Sequence, residues 1–248
     1  KSGNTWLRFL LHNVVYGVVE SSEQVARRIP DIHADAGLKD PGPEGTLYAK
    51  THFKYSAAHP FQARTKAAVY IARHPIDVFL SALNYRHLQD QNLTGAVLTD
   101  LAFADEFLRV GGDRRWELVG YGNWCEHVRT WLAGDKPFPV HVMRYEALKA
   151  DTLGETRRML AFLKIEVEDA ALAKAVKASS FDNMRALEVR EKSSNKVTAV
   201  FKGDKQRMQQ GKLFMNKGLA GQSLAHIRPD LDARFKERFA GELAMLGY

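Results

Sequence analysis

Apolar residues recur at helical spacing from Trp6 through Leu7, Leu10, Leu11, Val14, Val15 and Val18. This pattern predicts a helix from Thr5 to about Val19, opened by Ser2-Gly3-Asn4. A stretch rich in Gly, Pro and Asp follows, from Pro30 to Gly45. Thr46–Ala49 is a short strand candidate that ends at Lys50-Thr51-His52. Ala67–Ala72 is an unbroken apolar run between Lys66 and Arg73, the pattern of a strand buried on both faces of a parallel sheet. Pro75 suits the first position of a helix and Asp77 its first turn. Further helices are expected over Asp100–Arg109, Val119–Leu132, Phe181–Glu191 and Asp230–Leu246, with a strand at Val140–Met143. Thr152 and Glu155 have the spacing of a capping box for a helix reaching Leu163. Strands alternating with helices predict an α/β fold, a central parallel sheet flanked by helices. In such sheets ligands lie beyond the carboxyl ends of the strands. Lys50-Thr51-His52 and Arg73 both fall at such ends.

Composition narrows this only a little. At 248 residues and 45% hydrophobic content the chain can bury a sizeable core. No linker, repeat or low-complexity run divides it, which predicts one domain over 1–248. Lys and Arg outnumber Asp and Glu by 36 to 29, a net charge of +7 that favours an anionic partner. Cys125 is the single cysteine, so no internal disulfide ties the chain to an oxidising compartment. No apolar run has the length of a membrane span and no signal-peptide pattern is present. A cytoplasmic location is the expectation.

The chemistry concentrates at the start. In Lys1-Ser2-Gly3-Asn4-Thr5-Trp6 small and polar residues open a helix, where unpaired N–H groups and the helix dipole attract an anion. The same residues also suit an ordinary helix cap. Lys here precedes Gly, and no Gly-Lys-Ser/Thr occurs anywhere, so this is not a Walker A loop. The strand before Arg73 ends in Arg rather than a magnesium-holding Asp. Arg73 can fork two donors onto a phosphate, or form a surface salt bridge. Ser81, two turns on, can share that phosphate or simply face solvent. Trp6 and Phe181 suit a flat purine, or core packing. His52, one of nine histidines, stands at a strand end beside Lys50, as a general base would.

Together these segments resemble the family of sulfotransferases that use 3′-phosphoadenosine-5′-phosphosulfate (PAPS). Lys1–Trp6 is similar to its 5′-phosphosulfate loop, and Lys50-Thr51-His52 to its Lys-Thr-His segment. Val69–Pro75 with Asp77 and Ser81 is similar to its 3′-phosphate site. Tyr145-Glu146 with Leu148, Ser179-Ser180-Phe181 with Met184, and Phe214-Met215-Asn216-Lys217-Gly218 follow in family order. The resemblance implies a single-domain, P-loop-like α/β fold, with a strand ahead of Lys1. It also implies metal-free transfer of a sulfuryl group to an acceptor hydroxyl by in-line displacement, releasing adenosine 3′,5′-bisphosphate. His52 would be the base, Lys1 and Lys50 the stabilising cations. The donor site would comprise Lys1, Ser2, Gly3, Asn4, Thr5, Trp6, Arg73, Ser81, Tyr145, Ser179, Phe181, Met215, Asn216, Lys217 and Gly218.

Three departures stand out. Asn216 replaces the family's Arg, Gly221-Gln222-Ser223 replaces a usual Gly-Asp-Trp, and Phe53-Lys54 replace a frequent Leu-Pro. The closer likeness is to short bacterial sulfotransferases, including those that modify glycopeptides, which implies a small-molecule or glycopeptide-like hydroxyl acceptor. Phe53, Lys54, Tyr55, Phe61, Tyr85, His87, Phe103 and Trp116 are candidates to line its pocket. Residues 192–217 hold seven Lys or Arg and one acid, which fits a mobile lid or a solvated loop. No zinc-finger or RNA-binding signature points to nucleic acid. A nucleotide-binding domain without turnover, or a kinase-like phosphotransferase, stays open as an alternative class.

Overall fold

A computed structural model describes residues 1–33, 45–59, 61–89, 99–194 and 198–248. Two strands, β1 (Ala68–Ala72) and β2 (Val140–Arg144), pair in parallel, with Ala68 opposite Val140 and Ala72 opposite Arg144. They form the only sheet among the described residues. The expected strand at Thr46–Ala49 is not one. Its end makes a single parallel bridge, Lys50 to Asp31, with Lys50 N–H donating to Pro30 O (2.8 Å) and Ile32 N–H to Lys50 O (3.0 Å). One bridge is too short to propagate a ladder, yet it straps the 30–33 segment to Lys50-Thr51-His52.

Helices supply the rest. α1 (Asn4–Val15) starts from Gly3 and stops short of the expected Val19, because Gly17 turns the chain at φ 87°. α2 (Ser22–Arg28), absent from the expectations above, starts where Gln24 Oε1 accepts the N–H groups of Glu20 (2.8 Å) and Ser21 (3.4 Å). α3 (Pro75–Gln89) leaves the carboxyl end of β1, and α4 (Asp100–Val110) packs beside it. The helix expected over Val119–Leu132 begins only at Trp124, as α6 (Trp124–Leu132), and an unforeseen short helix, α5 (Arg114–Leu118), precedes that span. Gly120 and Gly122, both left-handed, separate them, and Asn123 Oδ1 accepts Glu126 N–H (2.9 Å) to start α6.

Past β2 come α7 (Tyr145–Ala150), α8 (Thr152–Leu163) and α9 (Asp169–Ala178), the last also unforeseen. Asp151, not Thr152, caps α8, with Oδ1 accepting Gly154 N–H at 2.8 Å. Glu155 turns to Arg158 instead (2.5 Å). α10 (Phe181–Ser193) and α11 (Lys205–Gln209) precede α12 (Leu231–Arg238) and α13 (Ala240–Leu246), which divide the expected Asp230–Leu246 helix at buried Phe239.

Three apolar clusters fill the interior. The largest joins Phe79, Phe103, Phe107, Phe235 and Phe239. A second sets Leu10 of α1 against Ile71 of β1, Met143 of β2 and Met159 of α8. The third packs Phe9 with Val25, Met184, Leu187, Val200 and Phe201. It bears on the basic 192–217 stretch: Phe201 is buried and stacks on Phe9 at 5.5 Å, so the described part is moored to the core. Burying an aromatic side chain of this size is worth about 2–3 kcal/mol.

Candidate functional site

One cavity of about 2490 Å³ runs along the carboxyl ends of β1 and β2 and the start of α1. Every residue expected at the site lines it except Ser179. Ser179 is wholly buried. Its Oγ donates to Ala175 O (2.8 Å) and accepts from Asn13 Nδ2 (2.8 Å), pinning α9 to α1. Ser180 takes the place on the wall. Of the acceptor-pocket candidates, Phe61, Tyr85, His87 and Trp116 line the cavity. Phe103 belongs to the core, and Phe53, Lys54 and Tyr55 are not among the residues lining the cavity.

At one end the opening loop rests on Tyr145. Gly3 has φ +104°, and a Cβ there would sit 2.6 Å from Tyr145 Cδ2 and 3.1 Å from Ile71 Cδ1. Only glycine suits both the left-handed backbone and the close approach. Trp6 meets the same Tyr145 ring edge-on at 5.5 Å. Arg73 lies over its face at 4.1 Å, with Nη2 donating to Leu219 O (2.5 Å) and Nη1 to Lys1 O (3.4 Å). Arg73 forms no ion pair among the described residues. Arg73 Nε, Trp6 Nε1 and Asn4 Oδ1 are buried without a hydrogen-bond partner. Buried polar groups are normally paired, so two unused donors at an anion-attracting helix start leave capacity for a ligand. Lys1 Nζ stands 3.3 Å from the centre of the Tyr85 ring; burial lowers its pKa well below the usual lysine value, with Arg115 and Lys50 adding to the fall.

The late loop closes this end. Glu188 of α10 is fully buried, and its carboxylate accepts Phe214 N–H (2.7 Å) and Met215 N–H (2.8 Å). Lys192, one turn on and equally buried, donates to Glu188 Oε1 (2.5 Å) and Lys202 O (2.9 Å). Asn216 O takes a bond from Arg185 Nη1 (2.9 Å). Gly218 has φ +59°, and a Cβ there would meet Phe181 Cδ2 at 2.5 Å. Gly218 O accepts from Tyr145 Oη (3.2 Å) and from Lys149 Nζ.

The other end is built of imidazoles. Lys50 pairs with Asp31, and burial outweighs that pairing to lower the lysine pKa. His52 N–H donates to His33 Nε2 at 2.6 Å. His52 O faces His127 Nε2 at 3.3 Å, and His127 Nδ1 faces Tyr70 Oη at 3.3 Å. These contacts set His127 as the Nε2–H tautomer, donating to the carbonyl and accepting from the phenol. Burial pushes the His127 pKa down to about 4. Burial, then the positive charge of Lys50, with smaller shares from His33 and Lys1, pushes His52 well below its ordinary value. His52 is therefore neutral at pH 7 and has a lone pair for a proton. Asp31, His33, His127 and Glu188 were missed by motif reading. No local spacing marks them.

Among the described residues no helix is long and apolar enough to cross a membrane. Human sulfotransferase 1C2 is 26% identical over 96% of this chain and 78% of its own length. Cytosolic sulfotransferase 17 of Arabidopsis thaliana is 27% identical over 97% and 72%. Among solved structures, mouse sulfotransferase SULT7A1 complexed with PAP matches with 25% identity and a TM-score of 0.68, covering 98% of this chain and 81% of that one. Retinol dehydratase, in complex with androsterone and inactive cofactor PAP, shares the fold at 18% identity and a TM-score of 0.64, over 98% and 78%. The human, mouse and Arabidopsis relatives lend no support to the bacterial, glycopeptide-modifying likeness. The sulfotransferase domain family matches residues 1–247, and the chain belongs to that family.

Proposed function

We propose that this chain moves a sulfuryl group from PAPS to the hydroxyl of a small-molecule acceptor, releasing adenosine 3′,5′-bisphosphate. The observation that carries this reading is the meeting of two unlike ends in one cavity. One is a glycine-opened helix start with buried cations and unused donors; the other is a neutral, desolvated histidine beside a lysine. PAP in the SULT7A1 structure, a relative at 25% identity, supports the choice of donor. The residues fit that donor. Lys1 and the Ser2–Thr5 N–H groups form a P-loop-like cradle for its 5′-phosphosulfate, which supplies the activated sulfuryl group. Arg73 and Ser81, with Lys217 from the late loop, hold the 3′-phosphate. Trp6 and Phe181 flank the purine, with Tyr145, Met215, Asn216 and Gly218 framing it. His52 takes the acceptor proton, and Lys1 and Lys50 offset negative charge as it builds on the departing phosphate.

The bisphosphate product tests the donor. It should raise the melting temperature well above the shift given by ATP with magnesium; occupancy at 100 times Kd is worth about 2.7 kcal/mol. The reverse order would overturn the reading. His52→Ala should lower kcat by about 10²–10⁴-fold with product binding kept. Intact turnover in that variant would remove His52 as the base.

A further inference from the structure

We propose that His33 is a positioning residue for this reaction, holding the main chain of His52 through an imidazole nitrogen that must be unprotonated. The inference rests on His52 being the base. His33 Nε2 accepts the His52 amide N–H at 2.6 Å. An imidazole nitrogen can accept an N–H only when it carries no proton of its own. The opposite edge of the same residue is held by His127, whose Nε2–H faces His52 O. The base is thus gripped at both of its peptide groups by neutral imidazoles. Its own ring makes no hydrogen bond to another described residue.

The surroundings keep His33 in place. Its ring sits 3.8 Å from the centre of Phe53, 4.7 Å from Tyr121 and 5.7 Å from the His52 ring. Thr51 Oγ1 lies 3.5 Å from the same Nε2. The backbone bridge at Lys50 fixes the register two residues earlier, so the side chains of 31 and 33 face those of 50 and 52. Among the described residues, the charged and titratable groups around the ring are Asp31 on its own segment, Lys50 and His52 on the strapped one, His59 beyond Thr51, and Tyr121. Burial lowers the His33 pKa, Lys50 and His59 lower it further, and Asp31 opposes them. Protonation would turn an N–H toward the His52 N–H, leave a half-buried donor unsatisfied and place a second positive charge beside the base. Turnover then requires two neutral histidines rather than one. The specific consequence is that acid inactivates the enzyme through His33 as well as through His52.

Three variants separate the possibilities, each first checked for folding by its melting shift with adenosine 3′,5′-bisphosphate. In His33→Gln the amide oxygen can reach the place of Nε2 and accepts the same N–H at every pH. His33→Ala removes the acceptor. His52→Ala removes the base. Steady-state rates are measured between about pH 5 and 8, where histidines titrate. His33→Ala should lower kcat by about 10-fold to 10²-fold, as expected for a misplaced catalytic group, with the KM for PAPS unchanged. His33→Gln should recover most of kcat, and its acid limb should move to lower pH because one ionisation is gone. Wild-type kcat and acid limb in His33→Ala would overturn the proposal. So would a His33→Gln enzyme as slow as His33→Ala with an unmoved limb, since His33 would then act by packing alone. If His33→Ala does not fold, the position of the acid limb in His33→Gln decides. The base reading fails separately: it falls if His52→Ala turns over, whereas an inactive His52→Ala beside an unaffected His33→Ala rejects only the role of His33.

Discussion

The two ends of the cavity solve opposite problems with different materials. The α1 end gathers cations and backbone N–H groups around an aromatic floor, Tyr145, and holds its glycines where a Cβ would collide with a ring. Among the described residues the His52 end pairs Lys50 with Asp31 and sets His52 among histidines whose pKa values burial has lowered. A site for a polyanion needs charge that survives desolvation. A general base needs the reverse, a group whose charged form desolvation disfavours. On the proposed reading one cavity serves a polyanion at one end and a base at the other, although burial lowers the Lys1 pKa as it does that of His52.

The largest test of this division is Glu188→Gln. It leaves Lys192 buried beside a neutral amide, and it weakens the acceptor of two loop N–H groups. Breaking a buried pair in this way costs about 3–5 kcal/mol. Denaturant unfolding should show that loss, and any folded remainder should bind the bisphosphate less tightly. If donor affinity survived unchanged, the late loop would not depend on α10. Arg73→Lys comes next. It keeps the charge but loses the fork and the planar stacking on Tyr145, so the KM for PAPS should rise about 10-fold to 100-fold, the worth of about one charged hydrogen bond. An equal fall in kcat at unchanged KM would move Arg73 to the reacting end. The smallest effect belongs to His127. Its pKa is about 4 in the fold and near the ordinary value when unfolded, so between those values the unfolded chain binds a proton the fold does not. Stability is therefore complete above about pH 6.5 and falls with pH toward about 4, by under about 1 kcal/mol at pH 6 from this residue. His127→Gln should flatten the slope of melting temperature against pH. It should not abolish it, because burial lowers His12, His33, His52, His74 and His141 in the same direction.

The two ends also differ in how far the sequence alone reveals them. Lys1–Trp6, Arg73 with Ser81, and Phe214–Gly218 are local motifs whose residues, on the proposed reading, share one ligand, so sequence pattern exposes them. The His52 end draws His33 from 19 positions before and His127 from 75 after. No spacing rule links such residues until the fold brings them together. Ser179 shows the converse. It stands in a motif, yet its hydroxyl serves α9 and Asn13 rather than the cavity. Among the elements, α2 carried a readable Ser21-x-x-Gln24 start that was overlooked. α9, with Ala at five of its ten positions, offers little apolar contrast to read. The single Val119–Leu132 helix failed on chemistry already visible, since Gly120 and Gly122 favour left-handed backbone.

Phe181 and Glu188 stand seven residues apart on α10, one packed on Gly218 and the other fastening Phe214 and Met215. At about 1.5 Å per residue the helix sets them roughly 10 Å apart and nearly on one face. The helix is in effect a ruler, and its markings are counted in residues. Loops elsewhere in the chain can change length at little cost, but a one-residue insertion or deletion between 181 and 188 would swing the carboxylate about 100° away from its loop. This interval should tolerate substitution far better than any change in count.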